Sequence, residues 1–319
     1  MALLEVDQLA VTLQSVAGLV RPVDVVSFDV NRGEVVCIVG ESGCGKSTTA
    51  LALIRLLDEQ AILSGSVRFD GQDLLGLSEA RMCALRGNRL SMVFQEPMTA
   101  LNPVKTIAAQ VMGPLLLHTA MSAAEARVEA GRLLARVGID QPARRLDCYP
   151  HQLSGGQRQR VVIAMALACR PDLIIADEPT TALDTTVQRQ ILDLLLSLVD
   201  EASIALLLIT HNLAVVSEIA DTVLVMYGGR VVESGPASAV LDSPRHPYTQ
   251  GLMQALARPG APRLTPIAGT VPDLARMPAG CAFADRCPRV IDACRIARPV
   301  AQTIEPGRTV ACIRAMELT

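Results

Sequence analysis

The sequence predicts an α/β fold built on a parallel sheet covered on both faces. Three observations carry that prediction. Short apolar runs at Val35–Val39, 173–176 and Ala205–Ile209 have the length and composition of strands buried on both sides. Segments of helical composition separate them, as in repeated strand–helix units. A glycine-rich loop at 40–47 joins a strand directly to a helix.

Taken in order, residues 1–39 alternate like paired strands: Leu4, Val6 and Leu9, then Val26, Phe28 and Val30, with Asn31-Arg32-Gly33 as a turn signal. Residues 48–57 read as a helix. Residues 107–137, rich in Ala, Leu, Glu and Arg, read as further helices that stop at Gly138. Another helix is expected over 157–169, closed by Pro171, and one more over 186–200. Beyond about residue 235 the character changes. Pro236, Pro244, Pro247, Pro259, Pro262, Pro266, Pro272 and Pro278 follow in close succession and hydrophobic periodicity fades, so a boundary is placed there. There is no internal repeat and no low-complexity tract.

Composition narrows the class. The 319 residues are half apolar and 19% charged, enough for one large core with an appendage. With four Phe, three Tyr and no Trp, aliphatic side chains must fill the interior. A net charge of -3 offers no basic footprint for nucleic acid. No run approaches the roughly 18 apolar residues of a membrane span, and Glu5 and Asp7 stand where a signal peptide would be basic. A cytosolic protein is expected, reaching any membrane through a partner. Its nine cysteines are then reduced thiols or metal ligands.

The loop Gly40-Glu41-Ser42-Gly43-Cys44-Gly45-Lys46-Ser47, followed by Thr48, fits G-x-x-x-x-G-K-[ST] between strand and helix. Its glycines let backbone N–H groups cradle phosphate oxygens, and the next helix adds its positive end. Lys46 supplies charge for β- and γ-phosphates, and the Ser47 hydroxyl can ligate Mg²⁺. The strand ending in Ala176-Asp177-Glu178 delivers two carboxylates to the end where ligands of parallel sheets gather. Asp177 suits Mg²⁺, and Glu178 suits a general base beside the γ-phosphate. Leu153-Ser154-Gly155-Gly156-Gln157 opens another helix with exposed backbone donors, a second anion cradle in one chain.

LSGGQ together with GESGCGKST and LIIADEP resembles the ATP-binding cassette (ABC) ATPases over residues 1 to about 250, with every motif in order. That resemblance implies a P-loop NTPase cassette: a RecA-like core, an antiparallel β-subdomain and a helical subdomain at about 96–170. It places the ATPase domain at 1–235 and a Pro/Cys-rich C-terminal extension at 236–319. Gln95 matches the loop that touches Mg²⁺ or the attacking water and senses the membrane partner. Asp184, in Thr181-Ala182-Leu183-Asp184, matches the loop that crosses a dimer interface. His211 matches the histidine that contacts the γ-phosphate. Two subunits of this family pair head to tail, so Ser154 and Gly156 of one copy face the ATP held by Lys46 of the other. One departure is the stretch Val11-Thr12-Leu13-Gln14, which lacks the usual aromatic for adenine and leaves Leu13 to make an apolar contact without π-stacking.

The segments QEPMTALNP (95–103), Tyr149-Pro150-His151-Gln152 and Arg245-His246-Pro247-Tyr248-Thr249 resemble those of oligopeptide and dipeptide importer ATPases, a group with relatives serving nickel or metal-chelate uptake. This implies two membrane permease subunits, an extracytoplasmic substrate-binding protein, a second and paralogous ATPase subunit, and a place on the cytoplasmic face of the inner membrane. The thiols of Cys281, Cys287, Cys294 and Cys312 are separated by five, six and seventeen residues. Four thiolates suit a metal, but the short C-x₂₋₄-C knuckle of zinc sites is absent. The resemblance favours a [4Fe–4S] cluster, against zinc or buried free thiols. A soluble, non-transport cassette ATPase would carry two cassettes, a long coiled-coil insertion or a zinc module within the core, whereas this sequence has one cassette, no heptad run and no basic patch. A subunit that binds ATP without turnover would commonly have lost Glu178 or His211.

Overall fold

A computed structural model describes residues 2–15, 18–181, 184–255 and 266–317. Ala182 and Leu183 of the loop before Asp184, and Pro259 and Pro262 of the proline-rich stretch, lie outside the described residues. The first third of the chain runs β1 (Leu4–Ser15), β2 (Gly18–Val30), β3 (Val35–Val39), α1 (Lys46–Leu53), β4 (Ile62–Phe69), β5 (Gln72–Asp73), α2 (Glu79–Leu85), β6 (Leu90–Val93) and α3 (Pro97–Ala100). The middle is α4 (Ile107–His118), α5 (Ala123–Arg136), α6 (Pro142–Arg145), α7 (Gly155–Leu167), β7 (Leu173–Asp177), α8 (Thr185–Ala202) and β8 (Ala205–Ile209). The last third is α9 (Leu213–Ile219), β9 (Thr222–Tyr227), β10 (Arg230–Pro236), α10 (Ala237–Asp242), α11 (Pro247–Gln254), α12 (Ala293–Ile296), β11 (Gln302–Glu305) and β12 (Arg308–Val310).

These elements form two compact units. The first contains Met1–Val30, Glu34–Leu75 and Ile209–Thr319. Its antiparallel sheet has the order β2-β1-β4-β5, with Leu4 opposite both Val30 and Phe69. The alternating apolar residues turn inward: Val6, Leu9, Val26 and Val30 are all buried. A second run of strands has the order β11-β12-β10-β9-β3. Here β3 pairs parallel with β9, but β10 and β12 run antiparallel. The expected parallel sheet is therefore mixed, because Gly228-Gly229 closes a hairpin between β9 and β10 with positive φ at both residues. The composition change near residue 235 falls at the end of β10, and β12 returns from the tail to pair Val310 with Glu233.

The second unit contains Asn31–Gly33 and Gly76–Leu208. β6 and β7 pair in parallel, Leu90 opposite Leu173, and β7 is buried along its whole length, as the continuous apolar run required. Helices α4, α5 and α7 pack together beside this layer. Ser122 starts α5 with a complete capping box to Glu125, and Gly138 ends the segment at φ +75°. No single helix among the described residues is long and apolar enough to cross a membrane.

Candidate functional site

In the first unit, the wholly buried β3 runs straight into the glycine loop. Gly40 has φ +155°, and a Cβ there would lie 2.3 Å from the Met226 carbonyl oxygen. Gly45 caps α1 at φ +103°, where a Cβ would lie 2.0 Å from the Pro22 carbonyl oxygen. Backbone approach on that scale admits glycine alone. The helix consequently begins at Lys46, two residues before the sequence reading placed it, and ends at Leu53 ahead of the left-handed Arg55. Lys46 is 5% exposed, and its Nζ donates to the carbonyls of Gly40 at 2.8 Å and Glu41 at 3.0 Å. An anionic phosphate is a stronger acceptor for that ammonium than two neutral carbonyls. Ser42 and Gly43 are exposed, Ser47 and Thr48 half-buried. Cys44 is buried, and burial pushes its thiol pKa up, so it is a packing residue.

His211, also in the first unit, follows β8 on an exposed turn, next to Asn212, whose side chain caps α9 by accepting from Ala214 and Val215 N–H. Leu13 sits half-buried on β1, and no aromatic stands on that stretch.

In the second unit, Asp177 ends β7 and is 5% exposed. Glu178 turns out of the strand in the left-handed region, φ +45°, a conformation that costs a non-glycine residue about 1 kcal/mol or more. Its Oε2 accepts from Thr181 Oγ1 at 2.8 Å and from Gln95 Nε2 at 3.4 Å. The structure thus joins two residues from motifs 83 positions apart. Aspartate, hydroxyl and amide oxygens are the hard donors Mg²⁺ prefers. Ser154 caps α7 through a capping box with Gln157, which leaves Gly155 and Gly156 as its first turn. Asp184 caps α8 by accepting from Val187 N–H at 3.0 Å.

The four tail cysteines converge. Cys281, Cys287, Cys294 and Cys312 line one cavity of about 20 Å³, room for about one water, together with Phe283 and His246. Burial pushes the Cys281 thiol up to about 11 and raises Cys287 and Cys312 as well. The donor chemistry suits a soft metal. No group of three or more His, Cys, Asp or Glu among the described residues is gathered closely enough to hold a metal ion. A ready-made [4Fe–4S] site is therefore not what the side chains form here.

Sequence reasoning did not assign a role to Tyr248 or Arg286, both of which touch Glu41. The scarcity of aromatics was the available signal, because Tyr227, Tyr248 and Phe283 spend three of seven in one place.

Residues 23–181 match the family described as ABC transporter, and residues 232–294 match the oligopeptide/dipeptide transporter C-terminal region. The dipeptide transport ATP-binding protein DppD of Escherichia coli (strain K12) is 48% identical over 98% of this chain and 96% of its own length. The oligopeptide transport ATP-binding protein OppD of Salmonella typhimurium is also 48% identical, over 99% of this chain and 94% of that protein. Among solved structures, the dimeric post-hydrolysis state of the ATP-binding cassette MJ0796, bound to ADP and phosphate, is similar with a TM-score of 0.66 and 30% identity. That likeness covers 73% of this chain and 98% of that one.

Proposed function

Because the chain belongs to the ABC transporter ATP-binding proteins of the oligopeptide/dipeptide group, we propose that it couples ATP hydrolysis to the uptake of short peptides through a membrane permease. The observation that carries this reading is the carboxylate of Glu178, placed beyond a buried strand and oriented by Gln95 and Thr181. A carboxylate so held is equipped to accept a proton from water.

The first unit contributes the loop 40–48, whose N–H groups, apart from that of Glu41, which donates to Tyr248, bind phosphate oxygens, with Lys46 on the β- and γ-phosphates and His211 on the γ-phosphate. The second contributes Glu178 as base. Ser47, Gln95 and Asp177 are the oxygen donors assigned to Mg²⁺, which when bound neutralises phosphate charge. Ser154, Gly155, Gly156 and Gln157, with Asp184, are assigned to the ATP of a partnering ATPase subunit, a paralogue in this reading. Two permease subunits and an extracytoplasmic binding protein complete the transporter, with this chain on the cytoplasmic face of the membrane. The domain division at about 235, with the extension beyond it, is part of the same proposal.

For the four tail cysteines we propose a metal centre of [4Fe–4S] type, which Cys281, Cys287, Cys294 and Cys312 would hold as thiolates. Their shared cavity supports it. Iron and acid-labile sulfide, measured on anaerobically purified protein and on a Cys294→Ser variant, test it. Absence of both from the unmodified protein rejects it.

The ATPase reading is tested by phosphate release from Mg–ATP. Lys46→Ala should abolish both nucleotide binding and turnover; turnover that survives this change would reject the assignment of the loop.

A further inference from the structure

Glu41, second residue of the phosphate loop, is tied at three groups. Its carbonyl accepts from Lys46 Nζ at 3.0 Å. Its N–H donates to Tyr248 Oη at 2.8 Å, so this donor is spent on protein. Its carboxylate takes both terminal nitrogens of Arg286, at 2.5 and 3.0 Å, in a bidentate pair. All four residues belong to the first unit.

The two residues that grip Glu41 are themselves buried and hydrogen-bonded. Arg286 is 5% exposed at its side chain. Its Nε donates to the Ala268 carbonyl at 2.9 Å and Nη2 to that of Ile267 at 3.2 Å. The guanidinium lies 5.8 Å from the ring centres of both Tyr227 and Phe283. Arg286 stands one residue before Cys287, within the cysteine-bearing segment. Tyr248 is fully buried, with its ring 4.6 Å from that of Tyr227 and 5.4 Å from that of Phe283. The run 245–249 delivers it: the fully buried Glu233 accepts the N–H groups of Arg245 and His246, and His246 Nδ1 accepts from Tyr248 N–H. This is what the Arg-His-Pro-Tyr-Thr run accomplishes locally.

We propose that Arg286 and Tyr248 are positioning residues for ATP, holding Glu41 so that the loop and Lys46 are set for the phosphates before nucleotide arrives. The inference rests on the reading of residues 40–48 as the phosphate cradle. A pair serving only to anchor the tail has no reason to end on the residue whose carbonyl holds Lys46. Loss of Arg286 acts twice: it frees the loop, and it leaves an uncompensated carboxylate beside the place where an anion must bind.

The test is titration of the full-length chain with a fluorescent ATP analogue in the presence of Mg²⁺, alongside steady-state hydrolysis. Arg286→Ala should weaken binding about tenfold, and Tyr248→Phe, which keeps the ring and removes the acceptor, about five- to tenfold. For both, KM should rise while kcat changes less than threefold. Replacing Glu41 by Gln in the Arg286→Ala background should recover part of the loss, because it removes the unpaired charge. Unmodified affinity in Arg286→Ala and Tyr248→Phe would overturn the proposal, as would equal losses in kcat with KM unmoved. Should Arg286→Ala fail to fold, Tyr248→Phe decides alone. Binding by the unmodified chain, lost in Lys46→Ala, separates the two levels: failure there sinks the nucleotide reading itself.

Discussion

The phosphate loop and the cysteine-bearing tail reach a fixed shape by opposite means. The loop is built of backbone: positive φ at Gly40, Gly43 and Gly45, close approach to the carbonyls of Pro22 and Met226, and Lys46 turned onto its own loop. Among the described residues after 266 regular structure is short: two 3-10 turns (Leu274–Arg276 and Ala284–Arg286), α12, and the pair β11 and β12. The tail is pinned instead by arginines that return to carboxylates of the cassette: Arg286 to Glu41, Arg298 to Asp24, and Arg308 to Glu233. The contrast teaches that a local conformation can be written in a few consecutive residues. A tertiary anchor needs charges that the chain brings together only after folding.

The sharpest way to break this comparison is to remove the most buried anchor. Arg308 is 2% exposed and Glu233 is fully buried. Arg308 Nη2 donates to Glu233 Oε1 at 2.9 Å, and the same carboxylate also serves two N–H groups. Arg308→Ala should cost about 3–5 kcal/mol, because a buried charge loses its counterion. The midpoint of denaturant unfolding reads this directly, and a cost under about 1 kcal/mol would mean the tail is held by something else. In the second unit, Glu178→Gln should lower phosphate release about 10²- to 10³-fold while leaving nucleotide binding in place. An unchanged basal rate would remove Glu178 from its assigned role.

The same contrast explains what was legible in the sequence. The runs Val35–Val39 and Ala205–Ile209 became β3 and β8 at the expected bounds, since burial on both faces leaves no alternative to a continuous apolar run. The helix after the loop started early because Gly45, by its left-handed φ, makes Lys46 the first helical residue. Glu178 and Gln95 could be singled out by motif, but their hydrogen bond could not, since no period links positions 95 and 178. Glu41 shows the limit most clearly. Its place in the loop was plain, yet its partners lie 207 and 245 residues away. Four cysteines signalled a common site and do share a cavity; spacing along the chain could not say how near the sulfurs stand.

Two smaller effects sharpen the comparison by asking when charge pairing matters. Arg298 is 37% exposed at its side chain, and its partner Asp24 also holds Arg230 at 2.7 Å and Arg21 at 3.3 Å. Arg298→Ala should therefore cost only about 0.2–1 kcal/mol in the same unfolding measurement. A loss as large as that for Arg308 would show that redundancy and solvent do not weaken this anchor.

The smallest expected change has the opposite sign. Glu5 and Asp29 stand directly across from each other on β1 and β2, a like-charge pair, with Arg68 of β4 opposite Glu5 on its other side. Burial first, then the charges of Glu5, Glu34 and Asp7, raises the Asp29 pKa above its ordinary 3.8. An acid whose pKa is higher in the folded chain than in the unfolded one is disfavoured when charged. Its penalty is therefore full at neutral pH and fades as pH falls through the folded-state value. Asp29→Asn should stabilise the protein by a few tenths of a kcal/mol at neutral pH, a modest figure because the group is largely solvated. That gain should fade as the pH falls and be gone once it lies below the unfolded-chain value of 3.8. A stability difference between the two proteins that stays constant across this range would mean that the strand pair carries no charge strain.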